Sequence, residues 1–192
     1  MPLPRLILAS VSPRRAELLR QAGIRFEVIP SDVAEVDSRH LTAAETAQIN
    51  AYRKARAVAK RFPDYLVLGA DTVVGLEGTL FGKPVNRADA RRMLNALEGR
   101  THQVVTGVCL IHLRRRQERL FAEITDVTFR PLGSEQIGEY LASINPLDKA
   151  GAYAIQEGGE ALVQDVAGSY SNVVGLPMER VKAELDRWRS TA

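Results

Sequence analysis

Leu6-Ile7-Leu8-Ala9 followed by Ser10-Val11-Ser12-Pro13-Arg14-Arg15 reads as a strand that turns into a helix. The apolar run suits a strand, and the pattern from Arg14 to Ala22 is helical and stopped by Gly23. Ser12 suits the N-cap, and Pro13 suits the first helical position, where a missing N–H does no harm. The free N–H groups and dipole of such a turn, next to Arg14 and Arg15, make a place for an anion, with phosphate the obvious guest. The same residues also suit a well-capped helix carrying two solvated arginines, so this turn alone leaves both readings open.

Working outward, 192 residues with 45% hydrophobic and 26% charged content describe one globular domain, residues 1–192, with one sizeable core. A net charge of +3 favours an anionic ligand but is too small to demand a nucleic acid or a membrane surface. Aromatic content of 6%, with Trp188 the single tryptophan, argues against a stacking platform for single strands. Cys109 is the only cysteine, so no disulfide framework exists, and its apolar setting makes it a buried thiol. With no secretory signal pattern and no membrane-length apolar run, a soluble cytoplasmic protein is the expectation.

Strands and helices alternate along the chain. Residues 3–9 read as a strand, 13–22 as a helix and 26–30 as a second strand. Thr42-Ala43-Ala44-Glu45 is a capping box opening a helix to Arg61, with Ala51, Ala55, Val58, Ala59 and Phe62 on one face. Residues 65–74 read as a buried strand, and Leu76 to Thr79 as a turn. Asn86 caps a helix that turns Ala90, Met93, Leu94 and Leu97 inward and ends at Gly99. Long strands at 101–113 and 119–130 are joined by a basic link, Leu113 to Arg119. Ser134 caps a short helix to Ser143, residues 145–159 are rich in turns, 161–166 form a strand, and Pro177 opens a last helix with Met178, Val181, Leu185 and Trp188 inward. The fold class is α/β with a central mixed sheet flanked by helices, because neighbouring long strands without a helix between them imply an antiparallel pair.

Three further stretches carry chemistry. Gly69-Ala70-Asp71-Thr72 puts a carboxylate and a hydroxyl into an apolar strand, and a buried Asp is expensive unless it is paired or holds a metal. Backbone N–H groups at a bulge would also satisfy it. Glu35 is a candidate companion, with Asp32 and Asp37 nearby in an acidic loop, and two carboxylates plus substrate phosphates are what Mg²⁺ needs. That loop reads equally as a solvated turn. Gly82-Lys83-Pro84 is not a phosphate loop of the Walker type, since the spacing from Gly78 is one residue short and Pro84 stands where Ser or Thr is required. Lys83 and Lys54 could each meet a phosphate as a point charge, though either alone suits a solvated surface. Asp148-Lys149-Ala150-Gly151-Ala152-Tyr153-Ala154-Ile155-Gln156 is small enough to let a ligand approach the backbone, and the Gln156 amide suits a base edge. Gly168-Ser169-Tyr170 with Val174-Gly175-Leu176-Pro177 is expected to pack against it. His40, His102 and His112 have no recognisable nucleophile partner, and no Cys/His cluster suits zinc.

Together, Ser10-Val11-Ser12-Pro13-Arg14-Arg15 with Glu17-Leu18-Leu19, Gly69-Ala70-Asp71-Thr72, Gly82-Lys83-Pro84, Asp148 to Tyr153, and Gly168-Ser169-Tyr170 with Val174 to Pro177 resemble the Maf family of nucleotide pyrophosphatases. The resemblance spans nearly the whole chain. It implies a fold like that of inosine triphosphate pyrophosphatases, two lobes around a cleft, often as a homodimer. It also implies hydrolysis of a nucleoside triphosphate to monophosphate and pyrophosphate with a divalent metal, Mg²⁺ or Mn²⁺. Asp71 matches the family's proton acceptor, Arg14, Thr72 and Gln156 match positions tied to substrate choice, and Ser10, Arg15, Glu35, Lys54 and Lys83 match polar residues of the cleft. The Asp148 segment with Gln156 sides with the branch acting on dTTP and UTP rather than the sister branch acting on 7-methyl-GTP; Ala154 departs from it, where that branch usually has Gly.

Phosphoryl transfer asks the protein mainly for positioning and charge neutralisation. The implied roles are therefore Asp71 as base and metal ligand, Glu35 sharing the metal, and Arg14, Arg15, Lys54 and Lys83 on the triphosphate, with Thr72 and Gln156 on the pyrimidine. Two rivals stand beside this reading: a non-catalytic nucleotide-binding regulator of cell division, against which Asp71 argues, and nucleic-acid binding through Arg114-Arg115-Arg116 and Arg119, a run that equally suits a solvated hairpin tip.

Overall fold

The computed structural model describes residues 4–36 and 40–190. The apolar run at the amino terminus becomes β1 (Leu6–Leu8), and it lies inside the sheet. On one side β2 (Phe26–Val28) pairs with it in parallel, and on the other β3 (Leu66–Leu76) does the same. Parallel neighbours need crossover connections. Helices α1 (Pro13–Gln21) and α2 (Ala43–Arg61) supply them. Beyond β3 the sheet becomes antiparallel. β4 (Thr79–Phe81) forms a hairpin with β3, helix α3 (Arg87–Leu97) follows, and β5 (Thr101–His112) and β6 (Gln117–Phe129) extend the sheet, closed by β7 (Val163–Ala167). The resulting order is β2-β1-β3-β5-β6-β7, with β4 beside β3, which is the mixed sheet that the adjacent long strands imply.

Among the described residues four packed groups hold it, the smallest being Ala47 of α2 with Val73 and Val105. Leu6, Leu8, Leu66, Leu68, Val108 and Leu110 on one face meet Leu19 of α1 and Met178, Val181, Leu185 and Trp188 of α6 (Met178–Ser190). On the opposite face Ile7, Val67, Cys109 and Ile111 meet Ala51, Ala55, Val58 and Ala59 of α2. At the far end of the long strands, Val74, Leu76, Val104, Val127 and Phe129 pack with α3 and with α4 (Ser134–Ser143). Strands β3 and β5 run through both ends, so the packed groups share one sheet.

Helix α2 lies unusually close to that sheet. The residues facing the strands are alanines four apart, and β3 and β5 offer glycine opposite them. A Cβ on Gly69 would fall on the backbone of Ala51 and Ala55, and one on Gly107 on the carbonyl of Ala47. In the register, Asp71 of β3 stands directly across from Gly107 of β5. The two glycines therefore bring the helix down onto the part of the sheet that carries Asp71.

Local expectations hold in most places, with corrections at the element ends. The capping box is complete: the Glu45 N–H donates to Thr42 Oγ1 at 3.2 Å, and the Thr42 N–H donates to Glu45 Oε2 at 2.8 Å. Ser12 occupies the N-cap of α1, but its side chain makes no cap bond. Instead its N–H donates to Ser10 Oγ at 3.2 Å, which draws the turn inward. The N-cap of α4 is Gly133, with Ser134 already helical, because the Gln136 side chain accepts from the Gly133 N–H and needs no capping hydroxyl. β1 and β2 are shorter than the apolar runs that announce them, and the last strand begins two residues later, at Val163. The turn-rich segment resolves into 3-10 turns at Pro146–Asp148, Ala150–Ala152 and Gly159–Ala161. A one-turn helix, α5 (Tyr170–Val174), carries no signal in the sequence, because Gly168 and Gly175 flank it closely. Asp37 of the acidic loop lies outside the described residues. Among the described residues no helix is long and apolar enough to cross a membrane.

The contact of α2 with glycine is directly testable. Gly107→Ala should lower the unfolding free energy by about 3 kcal/mol, the upper part of the range for forced overpacking, because helix backbone must move. Gly82→Ala, where an added Cβ meets nothing within 4 Å, should leave the urea midpoint unchanged.

Candidate active site

A cleft of about 690 Å³ opens where the β1–α1 turn, the loop before α2, the cleft-facing side of α2, the middle of β3 and the Asp148–Gln156 segment meet. That volume suits a nucleotide-sized ligand. All nine residues singled out in the sequence line it: Ser10, Arg14, Arg15, Glu35, Lys54, Asp71, Thr72, Lys83 and Gln156. With Lys149 added, five cationic side chains face three carboxylates, Glu35, Asp71 and Asp148, so the cleft carries a positive balance.

Asp71 is buried at the floor, and neither oxygen is bare. Lys54 Nζ donates to Oδ1 at 2.7 Å and Asn50 Nδ2 to Oδ2 at 3.0 Å. The same Lys54 Nζ donates to Glu35 Oε1 at 2.7 Å. Two carboxylates from distant parts of the chain thus converge on one cation position. Lys54 is 13% exposed and belongs to the floor, against the solvated alternative; Lys83, 56% exposed and 3.6 Å from Glu35, stays at the rim. Partial burial works against the charge of Glu35, but the Lys54 ammonium, then Lys83 and Arg15, outweigh it and hold its carboxyl below the usual range.

The two arginines of the first turn divide their work. Arg15 is buried and its guanidinium is held by protein acceptors: Nε donates to the Gly175 carbonyl at 2.8 Å, Nη1 to the Ala70 carbonyl at 2.9 Å and Ser10 Oγ at 3.1 Å, and Nη2 to Thr72 Oγ1 at 2.9 Å. Four of its five N–H groups are engaged this way. It fastens the turn, β3 and the segment after α5 together, with little left for the phosphates that the sequence reading gave it. Burial pulls its pKa down while Asp71 acts in the opposite direction. Arg14 points across the cleft, where Nη1 pairs with Asp148 Oδ2 at 3.0 Å. Asp148 in turn accepts from Lys149 Nζ at 2.9 Å, and Lys149 lies 3.2 Å from Glu157. Although burial opposes it, these cations hold Asp148 below the usual carboxylate range.

Thr72 is engaged from both sides. It accepts from Arg15, and lies 2.9 Å from Thr106 Oγ1. Thr106 donates to the Asn172 carbonyl at 3.2 Å, so the proton between the two threonines comes from Thr72, and a lone pair is what Thr72 has left. Gln156 is exposed at the mouth. Its segment is anchored from below: the Ala154 N–H donates to Tyr140 Oη at 3.1 Å, and Tyr153 Oη meets His102 Nε2 at 2.9 Å. Ala154 is not among the residues of positive φ, so its methyl group is carried without strain where the resembling branch has Gly. The Gly175 end of the α5 segment lines the same cleft, and Val173 packs against the group that holds Ala152 and Tyr153, the packing that the sequence expects.

Sequence reasoning missed Thr46 and Asn50. Both lie on α2 at four-residue steps before Lys54, a polar stripe beside the alanine stripe, and that spacing was the available signal. Asn50 touches Asp71 directly. Thr46 lines the cleft with a buried hydroxyl that has no partner.

His102 makes the anchoring of Tyr153 sensitive to acid. Burial lowers its pKa from 6.5 to about 4, so below pH 6.5 the unfolded chain takes up this proton before the folded one does. Stability that is complete above pH 6.5 should be lost as pH falls towards 4, by about 3 kcal/mol in all from this group. Urea titrations between pH 7 and 4 on wild type and His102→Phe would check it: the variant should show a shallower loss.

The match to known proteins follows the same residues. The pattern of the Maf-like protein family matches residues 5–188. A dTTP/UTP pyrophosphatase of Bacillus thuringiensis is 47% identical over 184 residues, 96% of this chain and 95% of the relative. Another protein of that name, from Symbiobacterium thermophilum, is 50% identical over 178 residues, covering 93% of this chain and 91% of its own. Among solved structures, a HAM1 protein from Coxiella burnetii aligns with 66% of this chain and 73% of its own at a TM-score of 0.45 and 18% identity. A family pattern that spans the fold, the cleft and all nine of its expected polar residues places this chain in the Maf family.

Proposed function

We propose that this protein hydrolyses dTTP and UTP to the nucleoside monophosphate and pyrophosphate. The observation that carries the reading is the convergence of Asp71 and Glu35 on Lys54 Nζ, each at 2.7 Å, in a nucleotide-sized cleft of positive balance. Relatives of about half identity that bear the name dTTP/UTP pyrophosphatase support the substrate pair.

Asp71 stands where it can accept the proton of a water that attacks the anhydride between the α and β phosphorus atoms. The bond to the bridging oxygen breaks, and pyrophosphate leaves with the charge that Lys54, Lys83 and Arg14 neutralise. Arg14 then has to exchange Asp148 for phosphate oxygen, and its planar fork suits both. Arg15 keeps Ser10 and Thr72 in place. The lone pair on Thr72 and the free amide of Gln156 complement the acceptor–donor–acceptor edge shared by uracil and thymine.

A divalent cation, Mg²⁺ or Mn²⁺, fits this donor set. Asp71 and Glu35 are hard oxygen ligands that already converge on one cation, and among the described residues no group of three or more His, Cys, Asp or Glu side chains forms a fuller cage. Few protein ligands supplemented by phosphate oxygens is the habit of Mg²⁺. When bound, the ion neutralises phosphate charge and makes the attacking water more acidic. We place the enzyme in the cytoplasm, as a homodimer, on the sequence resemblance.

Two variants test the assignment. Asp71→Asn should lower dTTP turnover by roughly 10³-fold or more while thermal stability and nucleotide binding persist, since Asn keeps the volume and loses the base. Pyrophosphate release with and without Mg²⁺ or Mn²⁺ measures it, and activity within a few fold of wild type would remove Asp71 from the mechanism. Gln156→Glu should reduce kcat/KM for dTTP and UTP more than for CTP, GTP and 7-methyl-GTP, because a carboxylate can only accept. Equal losses on all five, or a wild type that prefers 7-methyl-GTP, would take base reading away from Gln156.

A further inference from the structure

Asn50 connects three parts of the site through one amide. Its Nδ2 donates to Asp71 Oδ2 at 3.0 Å and to the Val36 carbonyl at 3.1 Å, while its Oδ1 accepts from the Val36 N–H at 2.7 Å. Both amide hydrogens and the oxygen are engaged, and only one orientation works: turned over, the oxygen would face two acceptors and the NH₂ would face an N–H. Asn50 is 3% exposed, so none of these bonds competes with bulk water.

We propose that Asn50 is a positioning residue, which holds the Asp71 carboxylate and the backbone beside Glu35 in one fixed arrangement. The two bonds to Val36 act like one rung of a β ladder and fasten the loop next to the residue that carries the second carboxylate. One turn further along α2, Lys54 reaches Glu35 Oε1 and Asp71 Oδ1. The Asp71 carboxylate is therefore held twice, once through a charge and once through a neutral amide, while Glu35 meets the same charge and follows a backbone that the same amide fastens. The two grips respond differently to substrate. Phosphate oxygens compete for the Lys54 ammonium, and a divalent cation competes with it; the neutral amide answers to neither. Asn50 keeps the floor in register while the charged partners exchange.

The inference rests on Asp71 being the proton acceptor, and its test separates the two. Asn50→Ala and Asn50→Leu are made, the second refilling the lost volume with an apolar side chain of similar size. Hydrogen–deuterium exchange of the Val36 amide, read without nucleotide or metal, should become at least about tenfold faster in both, with the unfolding midpoint of at least one close to wild type. In dTTP hydrolysis, kcat should fall by about 10- to 100-fold, the scale of a misplaced reacting group, with KM changed less than about threefold. Leu should not restore what Ala loses. Unchanged Val36 exchange in both variants would overturn the proposal whatever the activity. So would kcat within twofold of wild type, or recovery of kcat by Leu, which would reduce Asn50 to packing. A wild type that hydrolyses neither dTTP nor UTP would instead overturn the functional reading, and Val36 exchange would still decide whether Asn50 holds the loop.

Discussion

The close approach of α2 to the sheet is the constraint on which the site depends. Gly69 and Gly107 leave no side chain between strand and helix, and the alanines of α2 fill the space with methyl groups only. Because Asp71 stands opposite Gly107, the carboxylate rises into the seam where the helix passes nearest. Asn50 and Lys54 can then meet it with short hydrogen bonds. A larger residue at either glycine would lift the helix and stretch those bonds together, so packing and chemistry here are one feature.

Burial of charge sets the second layer. A carboxylate at the floor of a cleft is unfavourable alone, and a guanidinium behind it equally so. The structure resolves both by giving nearly every polar atom a partner. Arg15 is enclosed by three carbonyl or hydroxyl elements of the fold and supports Thr72, which continues through Thr106 to the backbone of Asn172. The more exposed charges lie nearer the mouth, where Lys83 and the Arg14–Asp148 pair are partly in water. A rigid floor beneath exchangeable rim charges suits a ligand that arrives with several negative charges and leaves in two pieces.

The Asp148–Gln156 segment forms the opposite wall and has its own support. Tyr153 reaches His102 in β5, and Tyr140 of α4 brackets the backbone of Ala154. Lys149 joins Asp148 to Glu157, so the residue that meets Arg14 and the turn that bears Gln156 share one buried ammonium. The parts of the cleft assigned to phosphate and to base are mechanically connected through this wall.

Much of this was legible in the sequence. Periodicity placed α2, α3 and α6 with the residues they bury, since burying an apolar face decides a helix independently of its neighbours. The strand-turn-helix of Ser10 to Arg15 and the carboxylate within an apolar strand at Asp71 pointed to the cleft, because chemistry that contradicts its local pattern needs a reason. Pairings across the fold were not legible. That Lys54 belongs to the floor and Lys83 to the rim, that Arg15 braces the protein while Arg14 crosses the cleft, and that Asn50 grips both Asp71 and Val36 depend on distances between residues up to 160 positions apart. Local sequence determined which side chains were unusual for their elements; the close seating of α2 on two glycines decided which of them meet, because hydrogen-bond geometry is fixed only when the backbones carrying the partners are fixed.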